Sequence, residues 1–169
     1  IVMQGGAASV DTVLIEGRRI TAVFPTGSRT LPANATEKDL SGFYVIPGLI
    51  DSHVHVGTQP RDSGVMERIL HSVFMDGVTT VRDMGGPAFA LKRAIDEGLV
   101  AGPRIYPSGA IITITSGHGD FRQLSDLPRT IGGMLSRMEK IGGSMVADSP
   151  DEVRVRAREQ LMQAEGLLG

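Results

Sequence analysis

The chain has 169 residues, 41% of them hydrophobic and 21% charged, with a formal net charge of −2. This composition can bury a core and excludes a largely disordered segment, and the balanced charge leaves no basic surface for nucleic acid or an anionic membrane. The absence of cysteine excludes disulfide scaffolds, thiolate zinc sites and cysteine nucleophiles together. No apolar run approaches the ~20 residues that span a bilayer. Because the first residue is Ile1, we expect the true start to be missing or removed.

Short strands are predicted in the first quarter of the chain. Residues 11–15 and 19–24 are rich in β-branched side chains, and residues 16–18 separate them as a turn. A loop rich in proline, glycine and small polar residues follows over residues 25–38, and residues 39–45 are predicted to lead into a third extended segment. Residues 1–45 are therefore predicted to form part of a small β-sheet domain.

After residue 45, strand-like and helix-like stretches alternate. Residues 46–56 form an apolar run, and the apolar spacing over residues 66–74 predicts an amphipathic helix. Either Asp62 or Ser63 can cap the start of this helix, and Gly77 is placed to end it.

The same alternation continues over the next forty or so residues. Residues 78–81 predict a strand, and Pro87 predicts the first position of a second helix that stops at Gly98. Residues 104–115 predict a further extended stretch. Strand–helix alternation of this kind favours an α/β fold built of parallel βα units.

The last third of the chain contains an insertion and a helix. Residues 120–148 are glycine-rich, show weak periodicity and predict a long insertion. Ser149 and Glu152 form a capping box that opens a helix with Pro150 at its first position. The predicted inner face of this helix consists of Val153, Ala157, Leu161 and Ala164.

Two of the four histidines stand two residues apart on a predicted strand. Side chains at such positions point to one face, so His53 and His55, with Asp51 at the same parity, can approach one divalent ion. A His-x-His pair alone is a weak signal, and ordinary surface or core histidines remain the alternative. His71 lies in the following helix and is predicted to be a surface or packing residue.

Four segments together resemble a known enzyme superfamily. Residues 47–55, Pro-Gly-Leu-Ile-Asp-Ser-His-Val-His, resemble the signature of the metal-dependent amidohydrolases. Residues 77–85 and 102–105 resemble the second barrel strand and the entry to the third, and residues 115–120, Thr-Ser-Gly-His-Gly-Asp, resemble the loop that follows. The set is most similar to the imidazolonepropionase-like and Xaa-Pro dipeptidase (prolidase) branch.

The resemblance implies a fold and a set of ligands. Residues 1–45 would be part of a small β-sandwich domain, and residues 46–169 the amino-terminal part of a TIM-type (β/α) barrel, with about three of its βα units. His53 and His55 would bind a divalent metal, expected to be zinc, with one or two ions in the complete enzyme. His118 would contact the carboxylate or scissile carbonyl of the substrate, the alternative being a loop-stabilising hydrogen bond.

Other residues of the resembling motifs carry no assigned chemistry. Arg82 and Asp83 are expected to form a buried ion pair beneath the site, and no residue of this chain is assigned a catalytic role. In the family, a carboxylated lysine, two further histidines and an aspartate on later strands complete the metal site. Here the lysines are Lys38, Lys92 and Lys140, none of which follows the last predicted helix.

The expected function is that of the amino-terminal part, truncated or frame-shifted, of a hydrolase of amide or peptide bonds. Its substrates would be small molecules or dipeptides, such as Xaa-Pro or N-acyl amino acid compounds, with no nucleic acid or membrane partner. The chain alone is expected to be inactive, and the alternative is a non-catalytic fragment or subunit. The cytoplasm is the expected location, and assembly into a homo-oligomer is left open.

Overall fold

The structure is a computed structural model that describes residues 2–4, 7–56 and 63–165. The chain divides into two compact units, residues 1–47 and 48–169. Of the two residues predicted to cap the first helix, Asp62 lies outside the described residues, and so does the side chain of Ser63.

The first unit contains two antiparallel strand pairs. The strands are β1 (Val2–Gln4), β2 (Ala7–Ser9), β3 (Asp11–Glu16) and β4 (Arg19–Pro25). β1 pairs with β2, and β3 pairs with β4 with Val13 opposite Val23. The strands predicted at residues 11–15 and 19–24 are confirmed, with a turn at Gly17, whose φ is +60°. The β1–β2 pair was not predicted.

Residues 39–45, predicted to lead into a third extended segment, contain a turn, and the next strand begins only at Leu49. The Asp39 carboxylate accepts hydrogen bonds from the Ser41 amide (2.8 Å) and hydroxyl (2.6 Å), and Gly42 has a φ of +85°. This side-chain-to-backbone turn reverses the chain before a strand can form. Val45 makes only an isolated parallel bridge to Val2 within the described residues.

The second unit begins with a parallel three-stranded sheet. Its elements are β5 (Leu49–Val54), α1 (Ser63–Met75), β6 (Val78–Asp83), α2 (Phe89–Asp96) and β7 (Arg104–Pro107). The strand order is β5-β6-β7, and both pairings are parallel. The strand–helix alternation predicted from the sequence is confirmed, and the protein is of the α/β class.

A buried apolar cluster holds this sheet and its helices together. Leu70 of α1, Val81 of β6 and Ile105 of β7 have no exposed surface, and Val56 and Ala88 complete the cluster. Burial of this kind stabilises a fold by roughly 1.5–3 kcal/mol per large side chain. The sheet therefore depends on apolar packing.

In this unit the glycines predict the ends of the helices correctly, whereas the proline does not predict the start of α2 correctly. Gly77 (φ +91°) and Gly98 (φ +75°) end α1 and α2 as predicted. The prediction that Pro87 is the first residue of α2 is wrong, since the helix begins at Phe89 with Ala88 as its N-cap. Gly86 has a φ of +120° and donates to the Gly109 carbonyl at 2.9 Å, which delays the start of the helix.

The insertion predicted over residues 120–148 contains structure. It holds one turn of 3-10 helix at Arg129–Ile131, the short helix α3 (Arg137–Lys140) and a strand, β9 (Ser144–Val146). β9 pairs in parallel with β8 (Ile111–Thr113). Three residues are too few to show a period, and the pairing joins segments far apart in the chain, so the pattern gave no signal.

The last helix, α4 (Pro150–Glu165), has the predicted capping box. The Glu152 amide donates to Ser149 Oγ (3.2 Å), and the Ser149 amide donates to Glu152 Oε2 (3.1 Å). The predicted inner face is wrong, because Val153 and Leu161 are 42% and 63% exposed. The helix docks instead through Gln160, 8% exposed, whose Oε1 accepts the Ala110 amide at 2.6 Å.

Candidate metal and substrate site

The rings of His53 and His55 lie together at the carboxyl end of β5. Their centroids are 5.2 Å apart with an interplanar angle of 77°, and both side chains are exposed. Alternate residues of a strand share a face, which accounts for this arrangement. The strand itself is at the edge of the three-stranded sheet, and β6 is central.

The separation of the rings suits two ligands of one ion. A zinc–nitrogen bond of about 2.1 Å places each ring centre about 3.2 Å from the metal, and a tetrahedral angle then separates the centres by about 5 Å. The observed separation is 5.2 Å. Within residues 2–4, 7–56 and 63–165, however, no group of three or more histidine and carboxylate side chains is placed to hold a metal. The residues present thus fit as two ligands of a larger set.

Neighbouring residues restrain the end of the strand. Asp51 Oδ1 accepts the His53 amide at 3.0 Å. The Val54 carbonyl accepts the Met84 amide at 2.8 Å, which joins the ends of β5 and β6. Gly85 follows, and a Cβ placed there would lie 3.5 Å from His55 Nδ1 and 2.5 Å from Ile111 Cγ1. Any larger residue at position 85 would therefore force the Ile111 side chain to shift.

His118 lies in the loop after β8. A Cβ on the adjacent Gly119 would lie 2.6 Å from Ile111 Cγ2, so the same isoleucine side chain abuts both Gly85 and Gly119. The Ile111 side chain thus adjoins both this loop and Gly85, the glycine beside His55. The His118 side chain is exposed. Its contact with substrate stays a prediction.

The carboxylate of Asp148, which is distant in the sequence, accepts hydrogen bonds from the first residue of this loop. Asp148, directly after β9, accepts the Thr115 amide at 2.7 Å and the Thr115 hydroxyl at 2.6 Å. These two hydrogen bonds lower the pKa of the Asp148 carboxyl. The Asp148 amide in turn donates to Glu152 Oε2 at 2.7 Å, which ties the loop to the first turn of α4.

The carboxylate of Asp120 accepts a hydrogen bond from Ser116, the next residue of the loop. Asp120 Oδ2 accepts the Ser116 amide at 2.8 Å, and Asp120 Oδ1 accepts Arg122 Nε at 2.8 Å. The Asp120 side chain is 6% exposed. The hydrogen bond from the Arg122 side chain, followed by those from the Ser116 and Arg122 amides, lowers the pKa of Asp120 far below its ordinary value against the opposing effect of burial.

Sequence reasoning missed these four residues, Thr115, Asp120, Arg122 and Asp148. Only a weak signal was available, namely an aspartate two residues after His118 and another directly before the capping box. Neither spacing shows which amide the carboxylate will meet.

The expected buried pair of Arg82 and Asp83 is wrong for Arg82. Asp83 has no exposed surface, whereas Arg82 is exposed. Adjacent strand residues point to opposite faces, so the two side chains leave β6 in different directions.

His71 is exposed on α1, as predicted. It borders an open depression of about 640 Å³ together with Glu67, Arg68, Met75 and Leu99. His53, His55 and His118 are not among its lining residues.

None of the helices in the described parts of the chain has the length and apolar character needed to cross a bilayer.

Several known proteins are similar to this chain. Ochratoxinase from Aspergillus niger is 32% identical over 136 residues, which are 69% of this chain and 28% of that enzyme. A prolidase crystallised with N-methylphosphonate-L-proline is 36% identical with a TM-score of 0.74, over 90% of this chain and 39% of the other. Molinate hydrolase is 26% identical with a TM-score of 0.65, over 91% and 39%.

The chain thus spans about two fifths of the length of the solved structures that it resembles and less of the ochratoxinase. The sequence profile of the Amidohydrolase family matches residues 44–168, which include the His53–His55 pair, β5 to β9 and all of α4. This match covers well over half of the 169 residues. The chain belongs to the amidohydrolase family.

Proposed function

We propose that this chain corresponds to the amino-terminal part of a metal-dependent hydrolase that cleaves carbon–nitrogen bonds in amides or peptides. The observation that carries the proposal is the pair of imidazole rings, 5.2 Å apart, at the carboxyl end of β5. The carboxyl ends of parallel strands are where barrel enzymes build their active sites. Membership of the amidohydrolase family supports a hydrolase in general.

In the proposed architecture, residues 1–45 are part of a β-sandwich domain and residues 46–169 begin a TIM-type barrel. The parallel order β5-β6-β7, with α1 and α2 between successive strands, supports this assignment. A closed barrel has eight such strands in roughly 250 residues.

His53 and His55 are the proposed metal ligands, and zinc is the proposed metal, with one or two ions in the complete enzyme. The chemistry that such an ion supplies is polarisation of a carbonyl and a lower pKa for water. The remaining ligands are expected on later barrel strands, where the family has a lysine, two histidines and an aspartate.

The proposed substrates are small molecules with an amide bond and a carboxylate, such as Xaa-Pro dipeptides or N-acyl amino acids. His118 is the proposed substrate-binding residue. The similar prolidase bound to N-methylphosphonate-L-proline supports the first class, and the 32% identity to ochratoxinase supports a hydrolase of small molecules.

A second candidate function is a non-catalytic fragment or subunit. Catalytic zinc sites normally keep three protein ligands. In the described part of the chain no group of three such side chains is found. We therefore expect the chain alone to bind metal weakly and to lack hydrolase turnover.

Zinc titration of the 169-residue chain by calorimetry tests the metal ligands. We expect weak binding, about micromolar or weaker, that falls at least tenfold in His53→Ala and in His55→Ala. His71→Ala is the matched control, since this exposed histidine lies on α1. Equal weakening by His71→Ala, or unchanged binding in both site variants, would contradict the assignment.

Hydrolysis assays test the expected inactivity of the chain alone. The chain, supplied with zinc or manganese, is assayed against a panel of Xaa-Pro dipeptides and N-acyl amino acids, and we expect no turnover. Saturable, metal-dependent hydrolysis that disappears in His53→Ala would show instead that this chain assembles a complete site, for example across copies in an oligomer.

A further inference from the structure

The loop that carries His118 is folded by consecutive tight turns. The Gly117 amide donates to the Ile114 carbonyl, and the Asp120 amide donates to the Gly117 carbonyl, each at 2.9 Å. Ser116 has a φ of +61°, a left-handed conformation that disfavours residues with a Cβ. His118 lies at the tip with its side chain exposed. The backbone of this loop therefore needs support beyond these two backbone hydrogen bonds.

Two carboxylates supply that support at two consecutive amides. Asp148 accepts the Thr115 amide at 2.7 Å, and Asp120 accepts the Ser116 amide at 2.8 Å. Arg122 links the two, because its Nε donates to Asp120 and its Nη2 donates to Thr115 Oγ1 at 3.4 Å. Charge-assisted hydrogen bonds of this kind are stronger than neutral ones.

We infer that Asp148 and Asp120 are positioning residues that set the orientation of His118 by holding the backbone two and three residues before it. Asp120 holds Ser116 in its left-handed conformation, and Asp148 anchors Thr115 to the start of α4. The inference rests on the proposed role of His118 in substrate binding, and it adds which residues prepare that histidine for the substrate.

The carboxylate of Asp148 acts on the loop separately from the strand pairing beside it. The Ala147 amide donates to the Thr113 carbonyl at 2.7 Å, and β8 pairs with β9 through backbone groups over Ile111–Thr113. These bonds remain when the carboxylate is replaced by an amide. A substitution at Asp148 is thus expected to free the loop while the β8–β9 pairing persists.

Ring ¹H–¹³C spectra of the four histidines test the inference on the full chain. In Asp148→Asn and in Asp120→Asn we expect the His118 signal to move toward its position in the unfolded chain. Amide exchange at Thr115 and Ser116 is expected to accelerate at least tenfold. The signals of His53, His55 and His71 are expected to stay in place, which would show that the remaining fold is intact.

A second pair of variants keeps the test independent of the carboxylates. Thr115→Val removes the hydroxyl that donates to Asp148, and Thr115→Ser retains it. We expect Thr115→Val to shift the His118 signal and Thr115→Ser to restore it. Asp151→Asn is the control, because this aspartate is 86% exposed on the first turn of α4 and pairs with Arg154.

The outcomes distinguish this inference from the proposed function. A His118 signal that is unchanged in Asp148→Asn, Asp120→Asn and Thr115→Val, or that shifts equally in Asp151→Asn, would overturn the positioning role. Loss of metal binding is tested separately at His53 and His55, so a failure there would leave the result on the loop standing.

Discussion

The end of β5 and the loop after β8 present their histidines by different physical means. His53 and His55 share a face because they alternate on a strand, and the His53 amide donates to the Asp51 carboxylate two residues before it. The His118 loop is held by carboxylates, one of which is 33 residues away from the threonine that it binds. β5 is exposed from Leu49 to His53, and only its carboxyl end joins the apolar cluster, through Val54 and Val56. The His118 loop is held by a few polar bonds.

This difference predicts that the two regions respond to different perturbations. Loss of apolar volume beneath the sheet should destabilise the whole second unit, and the His53–His55 pair with it. Loss of a single hydrogen bond near residue 148 should affect the His118 loop first. The four predictions that follow run from the largest expected effect on the free energy of unfolding to the smallest.

Ile105→Ala removes a fully buried side chain from the centre of the apolar cluster. We expect the free energy of unfolding to fall by about 2–5 kcal/mol, because the transfer and cavity costs add. Urea unfolding followed by circular dichroism measures the change. Leu99→Ala, at a side chain that is 74% exposed, is the control and should change stability by no more than about 0.5 kcal/mol. Equal effects of the two substitutions would mean that the sheet does not depend on this core.

Gly48→Ala tests the close approach between the start of β5 and the start of β6. A Cβ there would lie 2.1 Å from Thr79 Oγ1 and 2.7 Å from Thr79 Cβ. We expect a loss of about 1–3 kcal/mol from this overpacking. The double variant with Thr79→Ala should recover part of it in the same unfolding assay. No recovery would indicate that the clash is not the cause.

Ser149→Ala removes the N-cap of α4, which is also next to the carboxylate that binds the His118 loop. We expect a loss of about 1 kcal/mol, the usual cost of an N-cap serine. Amide exchange should accelerate at Thr115 as well as at Glu152, because Asp148 and Ser149 both donate to Glu152 Oε2. Ser125→Ala, at an exposed position, is the control. Faster exchange at Glu152 alone would show that the N-cap of α4 does not stabilise the His118 loop.

Acid should loosen the His118 loop through its two carboxylates. The pKa values of Asp120 and Asp148 are lowered in the folded chain, mainly by Arg122 and Thr115 respectively. A lowered pKa stabilises the fold above the ordinary value of about 3.9, and that stabilisation is lost as the pH falls below it. We expect the Thr115 and Ser116 amide signals to stay in place down to the ordinary aspartate pKa of about 3.9 and to shift only below it. The shift should be absent in Asp120→Asn/Asp148→Asn, and its persistence there would assign the transition to other groups.

Local patterns in the amino-acid sequence were sufficient for several elements. The β-branched runs of β3 and β4, the apolar period of α1, and the glycines that end α1 and α2 all matched the structure. The capping box of α4 and the shared side of His53 and His55 also follow from spacings of two or three residues. Each of these features depends only on neighbours in the chain, so the sequence pattern alone could predict it.

Tertiary contacts decided the rest. The Gly86 amide bonded to the distant Gly109 carbonyl and α2 began after Pro87, and β9 formed because β8 offered it a partner. The inner face of α4 was set by a hydrogen bond from the Ala110 amide to Gln160, which hydrophobic periodicity does not register. The carboxylates around His118 likewise act on amides that no spacing identifies. A sequence states which polar groups are available, but their partners depend on distances that exist only once the chain has folded.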